Sequence, residues 1–316
     1  MTKCMKFKSF LLPALLACLS ILSCKKEDDT TTLPSLSGLS VENNATTYVR
    51  VGATLTFTAD VSSITTSDKS DPGTVGMYWQ VNTAAKDTLT RDIKVKVPTF
   101  TYTVDSLGTY TVYCNIFATD YYNNAASVTF KAIDPETALA GLAGERTEIL
   151  DGKGFRVVEA GANTWTAENY YGGGRQYKDS EVLDSVFGNY YTWEQALTVC
   201  PEGWHLPTGA EFDALGTDAG SLMANVSFLS ESMWEYWPGM SITNSQGFNA
   251  IPIGYLDLTH ALSTEQGYEE YALWWTADEV NAELACFRFI YEDNPVVQQG
   301  QGSKTSLALN VRCVKD

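Results

Sequence analysis

Four groupings along the chain have residue types that could do chemistry. Cys286 and His205 offer a thiol and a base, the minimum for nucleophilic catalysis. Cys286 falls in the alternating run Ala285-Cys-Phe-Arg-Phe-Ile290, however, and His205 follows Trp204, so both are read as parts of packed strands. Adjacent carboxylates at Glu269-Glu270, Asp278-Glu279 and Glu292-Asp293 could serve glycoside cleavage, which needs two carboxyl groups at a set separation. With 38 acidic residues in the chain such pairs arise by chance, and they are read as solvated surface. Gly172-Gly-Gly174 is followed by Arg175 and lacks the Lys-Ser/Thr of a phosphate loop, so a flexible turn is expected. Met233-Trp-Glu-Tyr-Trp237 differs in kind. Trp234, Tyr236 and Trp237 could stack on a ligand from a loop-rich region, or they could fill the gap beneath a long loop. No catalytic residue, metal or cofactor is assigned, and two histidines in the whole chain make a zinc-type site a poor choice.

The elements that hold these groups belong to a globular chain. Its 316 residues suffice for about two domains, and 44% hydrophobic with 19% charged residues is not the composition of disorder. Lys and Arg number 21 against 38 Asp and Glu; without Lys3, Lys6 and Lys8, which lie in a segment expected to be removed, 18 face 38, a net charge of −20. So acidic a chain repels phosphate backbones, which excludes nucleic acid as a partner.

Met1 to Lys8 is a positively charged start, and Phe10 to Leu22 is an apolar stretch too short to span a bilayer comfortably. This pattern is a secretory signal over residues 1–23. Ile21-Leu-Ser-Cys24 resembles a bacterial lipobox, in which Cys24 becomes the lipidated first residue of the mature protein. Acyl chains there contribute about 0.8 kcal/mol per buried methylene, so the protein is expected to be anchored to a membrane without entering it. Cys24-Lys-Lys-Glu-Asp-Asp29 further resembles the acidic export signal of surface lipoproteins in Bacteroidota-type bacteria, which implies the outer membrane, exposed on the cell surface. Residues 24–35 have no hydrophobic period and are read as a tether.

Residues 36–133 give short alternating runs. Leu55, Phe57, Ala59 and Val61 share one face, as do Ile93, Val95 and Val97, and Tyr110, Val112, Cys114 and Ile116; Gly76 to Val81 is another strand. Period two over many short strands predicts an all-β antiparallel sandwich. Trp79 on a central strand is immunoglobulin-like, but the early strand carries Phe57 and Ala59 where a cysteine partner for Cys114 would sit, so no inter-sheet disulfide is expected. Asp105-Ser-Leu-Gly-Thr-Tyr-Thr-Val112 with Ala118-Thr-Asp120 resembles the PKD-type sandwich, which implies a spacer. Residues 134–149 are read as a linker.

In residues 150–316, Asp151 to Val158 and Asn163 to Asn169 suggest a hairpin seeding a core through Trp165. Thr192 caps a predicted helix with Trp193, Ala196, Leu197 and Cys200 on its apolar face, stopped by Pro201. An extended Trp204-His-Leu-Pro207 leads to Thr208-Gly-Ala-Glu211, a capping box opening a second helix with Phe212 and Leu215. Strands are expected at Leu273–Ala277, Ala285–Ile290 and Leu307–Val314.

Asp151-Gly152, Trp165, Ala167-Glu168-Asn169, Tyr191-Thr-Trp-Glu194, Cys200-Pro201, Gly203-Trp-His-Leu-Pro207, Gly247-Phe248, Pro252, Gly254-Tyr255, Trp274-Trp275 and Val311-Arg-Cys-Val314 follow in the order of the FISUMP domain, the Fibrobacter succinogenes major paralogous domain, which this region resembles. The resemblance implies an α+β, C-type-lectin-like domain with a looped binding surface and supplies no catalytic residue. It also implies a disulfide between Cys200, at the end of the first helix, and Cys313, in the closing strand. Pairing of Cys286 with Cys313, or two reduced thiols, are the alternatives. The calcium motifs of sugar-binding lectins, Glu-Pro-Asn or Gln-Pro-Asp with a later Trp-Asn-Asp, are absent, and Glu292-Asp-Asn-Pro295 has similar letters in another order. The expected function is capture of a glycan or protein ligand at the cell surface, without catalysis; a glycan-processing hydrolase on the same fold and a passive component of a surface assembly are the rival readings.

Overall fold

The computed structural model describes residues 32–83, 98–234, 240–259 and 264–316. The expected signal segment, Cys24, the strand around Val95, Tyr236 and Trp237 lie outside them. The chain is mostly β: among the described residues, the α-helices are Asp184–Phe187, Trp193–Val199 and Gly209–Asp213, all short.

Two sheets form the N-terminal sandwich. One joins Ser40–Asn43, Thr54–Asp60 and Thr99–Thr103; the other runs Tyr48–Arg50, Asn124–Ile133, Gly108–Phe117, Gly76–Thr83. Alternation places Leu55, Phe57 and Ala59 inside, and Trp79, Tyr110, Val112, Cys114 and Ile116 are fully buried opposite them. Trp79 stacks on Phe100 with ring centroids 5.5 Å apart and lies in register with Cys114. Val61, expected on the same face as Phe57, is exposed, because its strand ends at Asp60.

In the C-terminal part, a five-stranded sheet has the order Arg146–Leu150, Lys153–Ala160, Asn163–Thr166, Val314–Lys315, Trp204–His205. Asp151 and Gly152 both take positive φ in the two-residue turn between the first pair, a conformation Asp-Gly adopts readily and one that matches the twist of a hairpin. A three-stranded sheet joins Tyr271–Glu279, Leu284–Tyr291 and Gln298–Ser303.

Both predicted helices begin at reciprocal capping boxes, Thr192 with Gln195 and Thr208 with Glu211. Leu197, expected in the core, is 44% exposed. In a helix of two turns the buried stripe centres between Ala196 and Cys200, which leaves Leu197 on its margin. The expected strand Leu307–Val314 is broken into Leu307–Ala308 and Val314–Lys315, because Leu309 and Asn310 turn to bond Tyr191 and Trp275 instead.

Residues 134–149, expected as a linker, are built into this half. Leu139–Ala140 pairs with Ser227–Phe228, Ala138 is buried, and the Asn249 side chain exchanges hydrogen bonds with the backbone of Ala143. The two halves also share apolar packing. Tyr48 and Ile133 of the sandwich enter the same buried cluster as Ala138, Phe187 and Phe228, with the Tyr48 and Phe228 rings 5.7 Å apart.

Candidate functional site

The thiol and base singled out in the sequence are engaged elsewhere. His205 directs Nδ1 at Asp316 (2.7 Å) and Nε2 at Glu211 (2.9 Å), while Cys286 sits half-buried on its strand opposite Gln301. Of the carboxylate pairs, Glu279 binds Lys304, and Asp278 accepts from the Gly209 N–H that opens the second helix. Among the described residues no group of three or more His, Cys, Asp or Glu is placed to hold a metal ion. Trp234 is 3% exposed and belongs to the apolar core. Its ring therefore offers no stacking face to solvent.

Three of the residues that carried the family resemblance, Asn169, Phe248 and Trp274, meet at a fourth, the buried Arg312. Arg312 is fully buried; Nε donates to Asn169 Oδ1 (2.9 Å), Nη1 to the carbonyls of Thr166 (3.0 Å) and Phe248 (2.8 Å), and Nη2 to that of Asn249 (2.9 Å). Its guanidinium lies 4.5 Å from the centre of the Phe248 ring and 5.7 Å from that of Trp274. Burial pushes its pKa down to about 9, against a weaker opposing pull from Glu168, and this leaves it charged at neutral pH. Asn169 also accepts from the Trp274 indole N–H and donates to the Phe187 carbonyl. Glu168 is held by Arg146 and Arg156. Cys313, next to Arg312, is bonded to Cys200, with Cα atoms 5.8 Å apart; Cys114 and Cys286 are free thiols. Arg312 thus clamps the three chain segments 165–169, 247–249 and 311–314 together. This is framework chemistry: a delocalised cation satisfying carbonyls that irregular backbone leaves unpaired.

The recess lies at the junction of the two halves. A cleft of about 720 Å³ is walled on one side by Tyr48, Thr109 and Lys131 of the sandwich and on the other by Phe228, Ser230 and Tyr268. Three of the eleven described non-glycine residues with positive φ line it: Leu229, Ser230 and Glu269. Leu229 and Ser230 form the whole two-residue turn between the paired segments Ser227–Phe228 and Glu231–Ser232, at φ 52° and 74°. Asparagine and glycine suit that turn; a leucine there is held at a cost of about 1–2 kcal/mol. The Leu229 N–H bonds the Ala138 carbonyl, which ties the turn to the segment joining the halves. Burial raises the pKa values of Tyr48 and Tyr268, so both phenols stay neutral. Sequence reasoning missed this cleft because its walls come from segments nearly two hundred residues apart, and the one local signal, Phe-Leu-Ser-Glu between strand residues, does not look like a turn.

A mostly β chain, braced at a buried arginine and recessed where its halves meet, is the class of protein these features define. The family model described as the Fibrobacter succinogenes major domain matches residues 124–315, and the chain belongs to that family. The match takes in the whole strand Asn124–Ile133 of the sandwich, as well as the region from 150 onward. Among solved structures, the chain is similar to the PKD domain of an M14-like peptidase from Thermoplasmatales archaeon SCGC AB-540-F20, at 17% identity and TM-score 0.22 over 32% of this chain and 97% of that one. It is also similar to the Yersinia pseudotuberculosis adhesin InvE, at 11% identity and TM-score 0.26 over 89% of this chain and 70% of that one. No curated protein matches.

Proposed function

We propose that this protein is a surface lipoprotein, acylated at Cys24 in the outer membrane, that captures a glycan or protein ligand without catalysis. In this reading a PKD- or immunoglobulin-like domain supports a C-type-lectin-like domain. The first assignment is supported by the two facing sheets around Trp79. The second is supported by two capped helices flanking the extended Trp204–His205, with a disulfide from the end of the first helix to the last strand.

The observation that carries the binding reading is the cleft at the junction. Its rim includes the strained turn Leu229-Ser230, and strain persists where the surrounding structure holds a site in one geometry. Neutral phenols, hydroxyls, the Lys131 ammonium, the carboxylates of Asp134, Glu231 and Glu269, and apolar side chains line a recess of the size that takes a few sugar rings or a short peptide loop. In this reading the ligand meets Tyr48, Tyr268 and Ser230 rather than the buried Trp234, while Tyr236 and Trp237 lie outside the described residues. The test is a glycan array and a panel of surface proteins, with release of reducing ends monitored in parallel. Binding should weaken at least tenfold in Tyr268→Ala and remain unchanged in Leu33→Ser, a control at an exposed position outside the cleft. Steady release of reducing ends would favour a hydrolase instead.

A further inference from the structure

The three-stranded sheet ends on an open rim. Gln298–Ser303 pairs with Leu284–Tyr291 on one side in unbroken register from Leu284↔Ser303 to Phe289↔Gln298. Just past one end, the Lys304 N–H donates to the Glu283 carbonyl (3.0 Å); just before the other, the Val297 N–H points away and is taken by the Thr217 carbonyl (2.9 Å). Alternation along an antiparallel ladder therefore turns the backbone of Gln298, Gly300 and Gly302 inward and that of Gln299, Gln301 and Ser303 outward. Among the described residues nothing bonds those outward groups, whereas residues 217–219 cover the rim at 295–297.

Exposed rims are normally blunted by charge, proline or a bulge. Gln298-Gln-Gly-Gln-Gly-Ser303 has no charge, no proline and no register shift. On one face the half-buried Phe287 ring lies across Gly300, where any Cβ would strike it, while at Gly302 the Leu307 side chain is nearest with Phe287 beside it. The glycines thus bring an apolar surface, Phe287 at Gly300 and Leu307 at Gly302, out to the rim. Exposed carboxylates stand at both ends, Asp218 opposite Val296 and Glu283 beside Lys304, while Lys304 itself is paired with Glu279.

We infer that this rim accepts an extended segment of a partner protein as a fourth strand. The backbone supplies three donors and three acceptors, Phe287 favours apolar side chains on alternate positions of the incoming strand, and Asp218 and Glu283 favour basic residues flanking them. Main-chain bonds give such a contact its affinity, and alternate side chains give it specificity. Six residues of rim span about 20 Å, so a segment of six to eight residues fills it.

The probe is a synthetic blocked peptide, acetyl-Lys-Val-Thr-Val-Thr-Val-Lys-amide, titrated by calorimetry into the whole chain. Two N-methylated isomers, each blocking the amides of one edge, serve as controls. The expected result is saturable binding that one isomer abolishes and the other keeps. Gln301→Pro, which removes only an outward N–H, should weaken binding at least tenfold with little change in melting temperature. Equal binding of both isomers, or equal binding of a peptide with glutamates in place of lysines, overturns the proposal. Sedimentation showing a dimer that Gln301→Pro dissolves would make a second copy of this chain the occupant and overturn it as well. The two isomers are compared on unaltered protein, so the outcome does not depend on how the proline variant folds.

Discussion

Removing the bond between Cys200 and Cys313 tests how the C-terminal half is held. The two cysteines are 113 residues apart in sequence. In the chain-entropy account, closing a loop of that size removes about 16 cal/mol/K from the unfolded state, or about 5 kcal/mol at 25 °C. Unfolding releases about 2.1 cal/mol/K per residue, so a unit the size of the family match, residues 124–315, has an unfolding entropy of about 0.4 kcal/mol/K. The double variant Cys200→Ala/Cys313→Ala should therefore melt about 12 °C below the parent in calorimetry without reductant. Cys286→Ala should melt within about 2 °C of the parent, since that thiol is free and only half-buried. A loss under about 3 °C in the double variant would show that the bond does not constrain the unfolded chain. An equal loss in Cys286→Ala would show that Cys286 takes part in the pairing, and non-reducing peptide mapping would identify the partner.

Arg312→Lys should cost about 1–3 kcal/mol, measured by denaturant unfolding, because a single ammonium cannot reach all four acceptors that the guanidinium serves and a buried carbonyl is left unpaired. Trp234→Ala should lower stability by about 3–5 kcal/mol, as truncation of a core tryptophan does, while ligand capture at saturating protein is kept. At His205, burial opposes the charge, but hydrogen bonds to Asp316 and Glu211 outweigh it and raise the pKa above 6.5; at Glu211, burial is likewise outweighed, by bonds from Thr208 and His205, and the pKa is lowered below 4.5. The imidazolium's contribution is therefore full below about pH 6.5 and is lost as pH rises through the raised value, whereas the carboxylate's is present above about pH 4.5 and is lost as pH falls through the lowered one. Melting temperature against pH should show this clamp strongest between the two, and His205→Asn should flatten the alkaline side. Cys24→Ala should leave the protein uncleaved or soluble on membrane fractionation, and protease shaving of intact cells should degrade the parent.

Local signals were legible in the sequence wherever the physics is local. Thr192 and Thr208 cap their helices because hydroxyl and N3 side chain lie within four residues of each other, and Asp151-Gly152 turns because its two residues tolerate positive φ. Period two in the sandwich strands marked Phe57, Trp79 and Val112 as core, since a strand buries every second residue whatever its partner. Membership of the family was legible too, from motifs whose order survives without knowledge of their contacts. The contacts of Arg312 were not: only folding brings Asn169, Phe248 and Trp274 to it, across separations of up to 143 residues. Tertiary structure likewise decided that Trp234 faces inward, because a cluster of aromatics in a loop has the same composition whether it covers a core or greets a ligand. The cleft at Tyr48 and Tyr268 and the open rim at Gln301 exist only once distant segments pack, since a recess and an unpaired edge are properties of what stands beside a strand and not of the strand itself.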